Sequence, residues 1–331
     1  MIAVTGATGL LGGHILSRLL TAGEQVVALH RGGYNTSLPE GVIKKSANIL
    51  DPVSLCEAFT DVNTVIHAAA YVSFNPRRHK KILEVNGTGT QNVVNACLQM
   101  GVKNLIHISS VAALERKAGE VLTEKSTWTG TDPSDYARSK YLAELEVYRG
   151  AQEGLTISMV NPSVILSATQ PGRSSGTLFD YVWNENLFFT EGTLNYVDAR
   201  DVAEAVFTLY QNPHPGEKFI LSAGSISFQE FFSMTAGFFN KRKPFIKVGS
   251  TLSWWAGFIQ EIQSLLLNRE PMVTRQSAKL ANRSYCYSHQ KSEEVLGLQF
   301  HPLEETLAWC CEDYFRNVKT NKQKMQVAVA L

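Results

Sequence analysis

The stretch Met1-Ile2-Ala3-Val4-Thr5-Gly6-Ala7-Thr8-Gly9-Leu10-Leu11-Gly12 decides the fold of this chain. Its apolar start is typical of a short buried strand. The glycines that follow permit a tight turn, close approach of the backbone to a pyrophosphate, and close packing of the next helix on the strand. That helix points unpaired N–H groups at the same place. The stretch therefore predicts a dinucleotide site formed by Gly6, Thr8, Gly9, Leu10, Leu11 and Gly12.

The bulk composition fits a globular enzyme. Of the 331 residues, 44% are hydrophobic and 18% are charged, which are ordinary proportions for such a protein. The formal net charge of +1 creates no global field, so we expect no nucleic-acid partner. No apolar run reaches the roughly 18–20 residues that span a bilayer, and no signal peptide is recognisable, so we expect a cytoplasmic protein. The five cysteines lack metal-ligand spacing, which predicts reduced thiols and no metal site.

Strands and helices alternate regularly through the first half of the chain. The pattern predicts strands over residues 2–5, 25–29, 64–67, 105–109 and 156–160. It predicts helices near residues 10–22, 53–59, 79–100 and 134–153. Such alternation indicates an α/β fold with a doubly wound parallel sheet of the Rossmann type.

Small or polar residues follow four of these strands. They are the glycine turn, His67-Ala68-Ala69-Ala70, Ser109-Ser110 and Asn161-Pro162-Ser163. Ligands of doubly wound sheets bind beyond the carboxyl ends of the strands. We therefore expect these four segments to face one crevice.

Tyr136 and Lys140 form the chemical motif. They lie four residues apart in a predicted helix, so both side chains share one face, with about 6 Å of rise between them. A free phenol has a pKa of about 10 and is a poor acid or base at neutral pH, and a nearby ammonium lowers that pKa. Ser110 can hold a substrate oxygen while Tyr136 exchanges a proton with it. The motif predicts catalysis by Ser110, Tyr136 and Lys140.

The chain resembles the extended short-chain dehydrogenase/reductases, and within them the dihydroflavonol-reductase-like and 3β-hydroxysteroid-dehydrogenase-like branch of NAD(P)-dependent epimerase/dehydratase proteins. The motifs that carry this resemblance are Thr5-Gly6-Ala7-Thr8-Gly9-Leu10-Leu11-Gly12, His67-Ala68-Ala69-Ala70, Val85-Asn86-Gly87-Thr88, Ile108-Ser109-Ser110, Tyr136-xxx-Lys140 and Tyr196-Val197-Asp198-Ala199-Arg200-Asp201.

The resemblance implies a role for each matching residue. Tyr136 would be the acid/base, Lys140 would bind the nicotinamide ribose, and Ser110, with Ser109 as the alternative, would hold the substrate oxygen. The residues Ala68, Ala69, Ala70, Pro162 and Ser163 would lie beside the cofactor, as would Tyr136 and Lys140. Asn86 matches an asparagine that is usually structural. Asn161 stands where the family usually has arginine.

The end of the second strand predicts the choice of cofactor. An acidic residue there would bind the adenosine ribose and repel a 2′-phosphate, but this chain has His30 and Arg31. Arginine offers a bidentate donor set for phosphate. We therefore predict NADP, with NAD as the alternative and with Asn48 and Ile49 at the adenine.

The rhythm of strands and helices changes after about residue 163. We expect an NADP-binding Rossmann domain over residues 1–163, to which residues 194–222 return. Residues 164–193 and 223–316 would form a smaller, mostly helical substrate-binding cap, and residues 317–331 a frayed tail. An apolar helical stripe is predicted to pack in the core or cap; it consists of Trp254, Trp255, Phe258, Ile259, Ile262, Leu265 and Leu266. A lipophilic substrate wall, a dimer face and interfacial membrane contact are the alternatives.

These features favour an NADP-dependent oxidoreductase that interconverts a carbonyl and a secondary alcohol. The aromatic residues Trp183, Phe188, Phe189, Trp254 and Trp255 allow an apolar or aromatic substrate. The second hypothesis is a nucleotide-sugar epimerase or dehydratase. Against it, no Tyr-Gly follows Ser109-Ser110 and no Arg-Asp-Phe precedes Tyr196, and sugar-nucleotide members of the resembled family often carry both motifs. A non-catalytic NADP-sensing regulator is the third. The sequence does not fix the oligomeric state; a homodimer is one possibility, by analogy with the resembled family.

Overall fold

The computed structural model describes residues 1–32, 38–73, 75–114, 119–130, 134–167, 175–267 and 274–329. In chain order the strands are β1 (Ile2–Thr5), β2 (Val26–His30), β3 (Ile43–Ser46), β4 (Thr64–His67), β5 (Asn104–Ile108), β6 (Val121–Leu122), β7 (Thr156–Pro162), β8 (Val164–Leu166), β9 (Phe188–Phe189), β10 (Thr193–Asp198), β11 (Glu217–Leu221), β12 (Gly224–Ser227), β13 (Ile246–Lys247) and β14 (Cys286–Tyr287).

The α-helices are α1 (Leu10–Thr21), α2 (Pro52–Ala58), α3 (His79–Leu83), α4 (Gly89–Gln99), α5 (Asp135–Gln152), α6 (Gly176–Trp183), α7 (Ala199–Gln211), α8 (Phe228–Phe239), α9 (Ser250–Leu267), α10 (Arg275–Leu280), α11 (Gln290–Leu296) and α12 (Leu303–Val329). A π-helical segment, Glu84–Thr88, joins α3 to α4, and short 3₁₀ turns lie at Pro76–Arg78 and Val111–Ala113. No helix in the described ranges is both long enough and apolar enough to span a bilayer.

A seven-stranded parallel sheet organises the first unit, which comprises Met1–Ser163, Arg200–Ser222 and Cys286–Gln299. Its strand order is β11-β7-β5-β4-β1-β2-β3, and every pairing is parallel. The chain leaves β1 towards β3 and then resumes at β4 on the other side, so the order reverses between β1 and β4. This is a doubly wound Rossmann sheet, as predicted, and such a reversal marks where ligands bind.

The turn after β1 depends on glycine at two positions. Gly6 has φ of +70°, and a Cβ there would lie 2.6 Å from the amide nitrogen of Ala69. The Gly9 amide donates to the Gly6 carbonyl oxygen at 2.8 Å, which closes the turn. A Cβ on Gly12 would overlap the same carbonyl oxygen. The turn and the first turn of α1 are therefore packed too closely for side chains at these positions.

The second unit comprises Val164–Ala199, Ala223–Tyr285 and Phe300–Leu331. Strand β10 lies between β8, which is parallel to it, and β12, which is antiparallel. The core of the second unit is rich in aromatic rings. Phe179 contacts Phe231, Phe239 and Tyr314 at ring-centroid distances of 6.2 to 6.5 Å. Trp183 packs edge-on against Phe239 at 5.3 Å. Phe189 is thus buried in this core and the half-buried Trp183 packs against it, although both were predicted as candidates for an apolar substrate pocket.

The unit boundaries differ from the predicted domains in three places. Strand β10 pairs within the second unit, so the first unit resumes at Arg200 rather than at residue 194. Residues 286–299 belong to the first unit, because β14 pairs with β6 and the Ser292 hydroxyl donates to the carbonyl oxygen of Ile220 at 3.0 Å. The predicted frayed tail instead continues α12 as far as Val329.

We expect Gly12→Ala to destabilise the protein, because the new methyl group must displace the Gly6 carbonyl. Overpacking of this kind costs about 1–3 kcal/mol. Gly13→Ala is the matched control, since a Cβ at this next helical position meets nothing within 4 Å. It should stabilise the protein by about 0.5–1 kcal/mol, as Gly→Ala does in helices. Thermal unfolding measures both, and equal shifts for the two variants would contradict the packing argument.

Candidate active site

Ser110 follows β5 and begins the 3₁₀ turn Val111–Ala113. Its Oγ accepts the Ala112 amide proton at 3.1 Å, which fixes the side chain at the carboxyl end of the sheet. The residue is half-buried. A hydroxyl that accepts one hydrogen bond still has its own proton to donate. The side chain is therefore oriented by the turn and able to donate to an outside oxygen.

Helix α5 carries Tyr136 and Lys140 as predicted. The Ser134 side chain caps the helix by accepting the Ala137 amide proton at 3.1 Å, so Tyr136 lies in the first turn and is half-buried. Lys140, one turn later, is only 4% exposed. Its Nζ donates to the carbonyl oxygen of Ile108 at 2.8 Å. This bond places the ammonium at the end of β5, because Ile108 is the last residue of that strand and precedes Ser110 by two residues.

Burial lowers the pKa of Lys140 to about 8, and the nearby Glu144 carboxylate acts in the opposite direction. Desolvation disfavours the charged amine, while an opposite charge favours it. Lys140 therefore changes its charge close to neutral pH instead of near its usual value of 10.5.

Glu144 is a buried acid that the sequence analysis did not identify. It is 3% exposed, and its Oε1 accepts from the Ser109 hydroxyl at 2.5 Å and from Asn161 Nδ2 at 2.6 Å. Lys218 Nζ lies 3.6 Å from its Oε2. Its position one turn after Lys140, on the same helix face, was the available signal.

Asn161 also donates from Nδ2 to the Ser110 carbonyl oxygen at 3.0 Å. Its side chain thus joins Glu144 to the backbone of a predicted catalytic residue. Asparagine stands here where the resembled family usually has arginine, and Lys218 is the cation that lies beside the buried carboxylate.

Asn86 has a structural role, as the resemblance implied. Its Oδ1 accepts from the Tyr71 amide at 2.7 Å, and its Nδ2 donates to the Tyr71 carbonyl and to the Ser139 hydroxyl, each at 2.9 Å. Ser139 in turn donates to the Tyr136 carbonyl at 2.7 Å. The π-helical segment is thereby tied to the first two turns of α5, and both Nδ2 protons of Asn86 are used in bonds within the protein.

His67, at the end of β4, lies in a linear chain of buried hydrogen bonds. Thr90 Oγ1 donates to the Asn86 carbonyl at 2.6 Å and so accepts from His67 Nε2 at 3.0 Å. With its proton on Nε2, the neutral ring accepts at Nδ1 from Thr5 Oγ1 at 2.7 Å, and Thr5 Oγ1 in turn accepts from the Ala69 amide at 3.2 Å. Burial, helped by Lys140, lowers the pKa of His67 to about 3, so the ring is neutral. His67 therefore holds β1 and β4 together.

The predicted nucleotide residues lie along the carboxyl edge of the sheet. Thr8 and Gly9 are exposed, Leu10 is half-buried, and Leu11 and Gly12 are buried. Ala68 and Ala69 are half-buried after β4, and Ala70 is exposed. Pro162 and Ser163 are buried at the end of β7, and the Ser163 hydroxyl has no hydrogen-bond partner among the described residues.

The residues predicted to select the cofactor differ in their surroundings. His30 ends β2, and its Nδ1 accepts from the Gly32 amide at 3.1 Å, while Arg31 is exposed. Asn48 is exposed and its side-chain oxygen accepts from the Leu50 amide at 3.1 Å. The Ile49 side chain is buried against Gly89, so packing accounts for its type. In the part of the chain that the structure describes, no cluster of His, Cys, Asp or Glu could hold a metal ion.

Comparisons with known proteins agree with this architecture. The model of the NAD dependent epimerase/dehydratase family matches residues 2–222. A cinnamoyl-CoA reductase 1 of Oryza sativa is 24% identical and aligns over 93% of this chain and 88% of its own length. Sterol demethylase protein B of Methylococcus capsulatus is also 24% identical, over 89% of this chain and 92% of its own.

A solved structure of UDP-glucose 4-epimerase from Thermotoga maritima covers 96% of this chain and 99% of its own, with a TM-score of 0.79 and 19% identity, so this likeness concerns the fold. The family match covers most of the chain and includes the glycine turn, the strand ends and α5. The chain belongs to the NAD dependent epimerase/dehydratase family, whose members include reductases of the extended short-chain type.

Proposed function

We propose that this chain is an NADP-dependent oxidoreductase that interconverts a carbonyl and a secondary alcohol, with Ser110, Tyr136 and Lys140 as its catalytic residues. One observation carries the proposal. The buried Lys140 ammonium lies 2.8 Å from the carbonyl oxygen of Ile108. Lys140 follows Tyr136 by one helical turn, and Ile108 precedes Ser110 by two residues. Packing alone would favour an apolar side chain at this position, because burying a charge costs free energy.

The residues at the sheet edge fit a dinucleotide. The turn after β1 is closed by a backbone hydrogen bond, from the Gly9 amide to the Gly6 carbonyl oxygen. Helix α1 begins at Leu10; its N-cap, Gly9, has no side chain to bond the first amides, and its first turn contains no acidic residue. Its first N–H groups are thus available for a diphosphate. The Ser163 hydroxyl, just after β7, is buried and has no hydrogen-bond partner among the described residues. It adds a polar atom to the segment that is predicted to lie beside the nicotinamide.

The side chains divide the work of reduction among them. Bound NADPH supplies the hydride, which no side chain can provide. Tyr136 donates its phenolic proton to the substrate oxygen, and Ser110 donates a hydrogen bond to the same oxygen. Lys140 stabilises the phenolate left on Tyr136, which solvent reprotonates. Glu144 holds Lys140 in its charged form and, through Asn161, fixes the backbone at Ser110.

Two observations favour a reductase over a sugar-nucleotide epimerase. The chain lacks the Tyr-Gly and Arg-Asp-Phe features of many sugar-nucleotide members, and a full-length relative is described as a reductase. A panel of ketones and aldehydes with NADPH tests the proposal. We expect turnover with net loss of NADPH. Isomerisation of a UDP-sugar without net cofactor loss would support the epimerase instead, and cofactor binding without either reaction would support a regulator.

Tyr136→Phe should lower the reduction rate by about a hundred-fold or more, since the variant retains the ring but loses the proton donor. NADPH affinity should stay within about two-fold, because the hydroxyl serves the substrate oxygen. Tyr141→Phe on the same helix is the control: this ring stacks on Trp128 at 5.5 Å and should retain full activity. Equal rates for Tyr136→Phe and Tyr141→Phe would exclude Tyr136 as the acid.

Glu144→Gln should move the alkaline limit of the reduction rate to lower pH. Reduction requires a protonated Tyr136 and a charged Lys140, and the rate falls as pH rises through the Lys140 pKa of about 8. Removal of the carboxylate charge lowers the pKa of Lys140 further, so the fall begins at lower pH. Glu146→Gln is the control, because Glu146 pairs with Arg149 on the half-exposed side of α5. A purely structural role would lower the rate at every pH without moving the limit.

Arg31→Ala should weaken NADPH binding by about ten-fold while leaving NADH binding nearly unchanged, because only NADPH offers a 2′-phosphate to the guanidinium. Arg31→Lys should recover part of the preference, since it restores the charge but not the bidentate geometry. Fluorescence titration with both cofactors measures the ratio. An unchanged ratio in Arg31→Ala would assign the preference to another residue or to none.

A further inference from the structure

Helix α9 packs on its neighbour with its small residues and turns its large apolar residues outward. Ser253 and Gly257, four residues apart, are buried, and a Cβ on Gly257 would lie 2.6 Å from the Thr274 backbone. Asn282 donates to the Ser253 hydroxyl at 2.8 Å, which fixes the contact. The side facing α10 is therefore the small, polar side of the helix, opposite to the usual arrangement of a surface helix.

The outer face of α9, defined by Leu252, Trp255 and Ile259, is exposed. These side chains are 64%, 51% and 52% exposed, respectively. They recur at three- and four-residue spacing and so form one continuous stripe. The sequence predicted that Trp255 and Ile259 pack in the core or cap; for these two residues the prediction is wrong, because the close approach to α10 leaves room only for small residues at 253 and 257. The side chains of Ile262, Leu265 and Leu266, which belonged to the same predicted stripe, lie outside the described residues.

Cations border this face. Arg275 lies over the rings of Trp254 and Phe258 at 5.7 and 5.3 Å and also pairs with Glu261. An open pocket at the start of α9 is lined by Ser250, Thr251, Trp254, Lys279, Asn282 and Arg283. Lys279 forms no ion pair with any described residue, and Arg283 donates to the Tyr285 hydroxyl rather than to a carboxylate. Net positive charge therefore lies beside the exposed tryptophans.

The chain leading into α9 has the same character. Between Glu230 and Glu261 it contains no acidic residue and four cations, Lys241, Arg242, Lys243 and Lys247. Lys241 and Lys247 pair with Glu185 and Glu191, but Arg242 and Lys243 are exposed and form no ion pair with the described residues. Phe245, between them and α9, is 58% exposed.

We propose that the outer face of α9 docks on an anionic membrane surface. An apolar stripe with tryptophan, edged by Lys and Arg, is the pattern of a helix that lies in the bilayer interface. Phosphate headgroups complement Lys279, Arg283, Arg242 and Lys243. A second copy of the chain suits the face less well, because a two-fold contact would bring the same cations of both copies together.

Sedimentation with lipid vesicles tests the proposal on the full chain. We expect binding to phosphatidylcholine vesicles that contain phosphatidylglycerol, weaker binding to phosphatidylcholine alone, and weakening by salt. The double variant Trp255→Ser/Ile259→Ser should lose about ten-fold or more in vesicle affinity. Val53→Ser/Val295→Ser is the control, since both valines are exposed on the first unit, and it should bind as the natural chain does.

Two further measurements distinguish the sources of binding. Arg242→Glu/Lys243→Glu should reduce binding to the anionic vesicles but not to the neutral ones. Brominated lipids should quench tryptophan fluorescence of the natural chain and less that of Trp255→Phe. The proposal is overturned if the natural chain ignores anionic vesicles at low salt or if the Trp255/Ile259 variant binds equally well. It is also overturned if that variant only converts a dimer into a monomer, which would make this face a contact between copies.

Discussion

The hydrogen bond from Lys140 Nζ to the Ile108 carbonyl is the constraint on which the candidate site depends. A buried ammonium is costly unless its protons are bonded and its charge is balanced. The carbonyl at the end of β5 provides the bond, and Glu144, one turn further along α5, provides the charge. The bond therefore fastens α5 to the carboxyl end of β5 at Lys140. Tyr136 and Ser110 belong to these two elements, so their separation follows from the same bond.

A second chain of polar contacts holds the nucleotide side of the sheet. The Ala69 amide, Thr5, the neutral ring of His67, Thr90 and the Asn86 carbonyl bond in sequence. Asn86 continues this chain to Ser139 on α5. The two networks thus meet on one helix: Lys140 fastens it to β5, and Ser139 fastens it to the π-helical segment. The buried groups of these two networks are hydrogen-bonded to one another, and they link the strands to α5 at the point where the strand order reverses.

The elements around the crevice were predictable because their signals are local. Strands β1 and β4 and helices α1 and α5 begin and end within a residue of the predicted positions. Strand β3 was missed because Ile43–Ser46 is largely exposed and carries two lysines, so it has no apolar run. The single helix predicted over 79–100 is interrupted by a π-helical segment, whose cause is the set of long-range bonds of Asn86. Glu144 and Asn161 were missed as partners because only the fold brings α5, β7 and β11 together.

Helix α9 illustrates a different limit of prediction from sequence, because the side of the helix that packs against the protein was assigned wrongly. Periodicity identifies two faces of a helix but does not say which face the protein covers. Assigning the large apolar face to the interior is the default, and it fails when a neighbour's backbone lies so close that only small residues fit. Ser253 and Gly257 recur four residues apart on the side opposite to Trp255, and that small-residue spacing was the signal for the packed face. The exposed tryptophan stripe is then the face available to the proposed membrane surface, and the cations beside it match the negative charge of that surface.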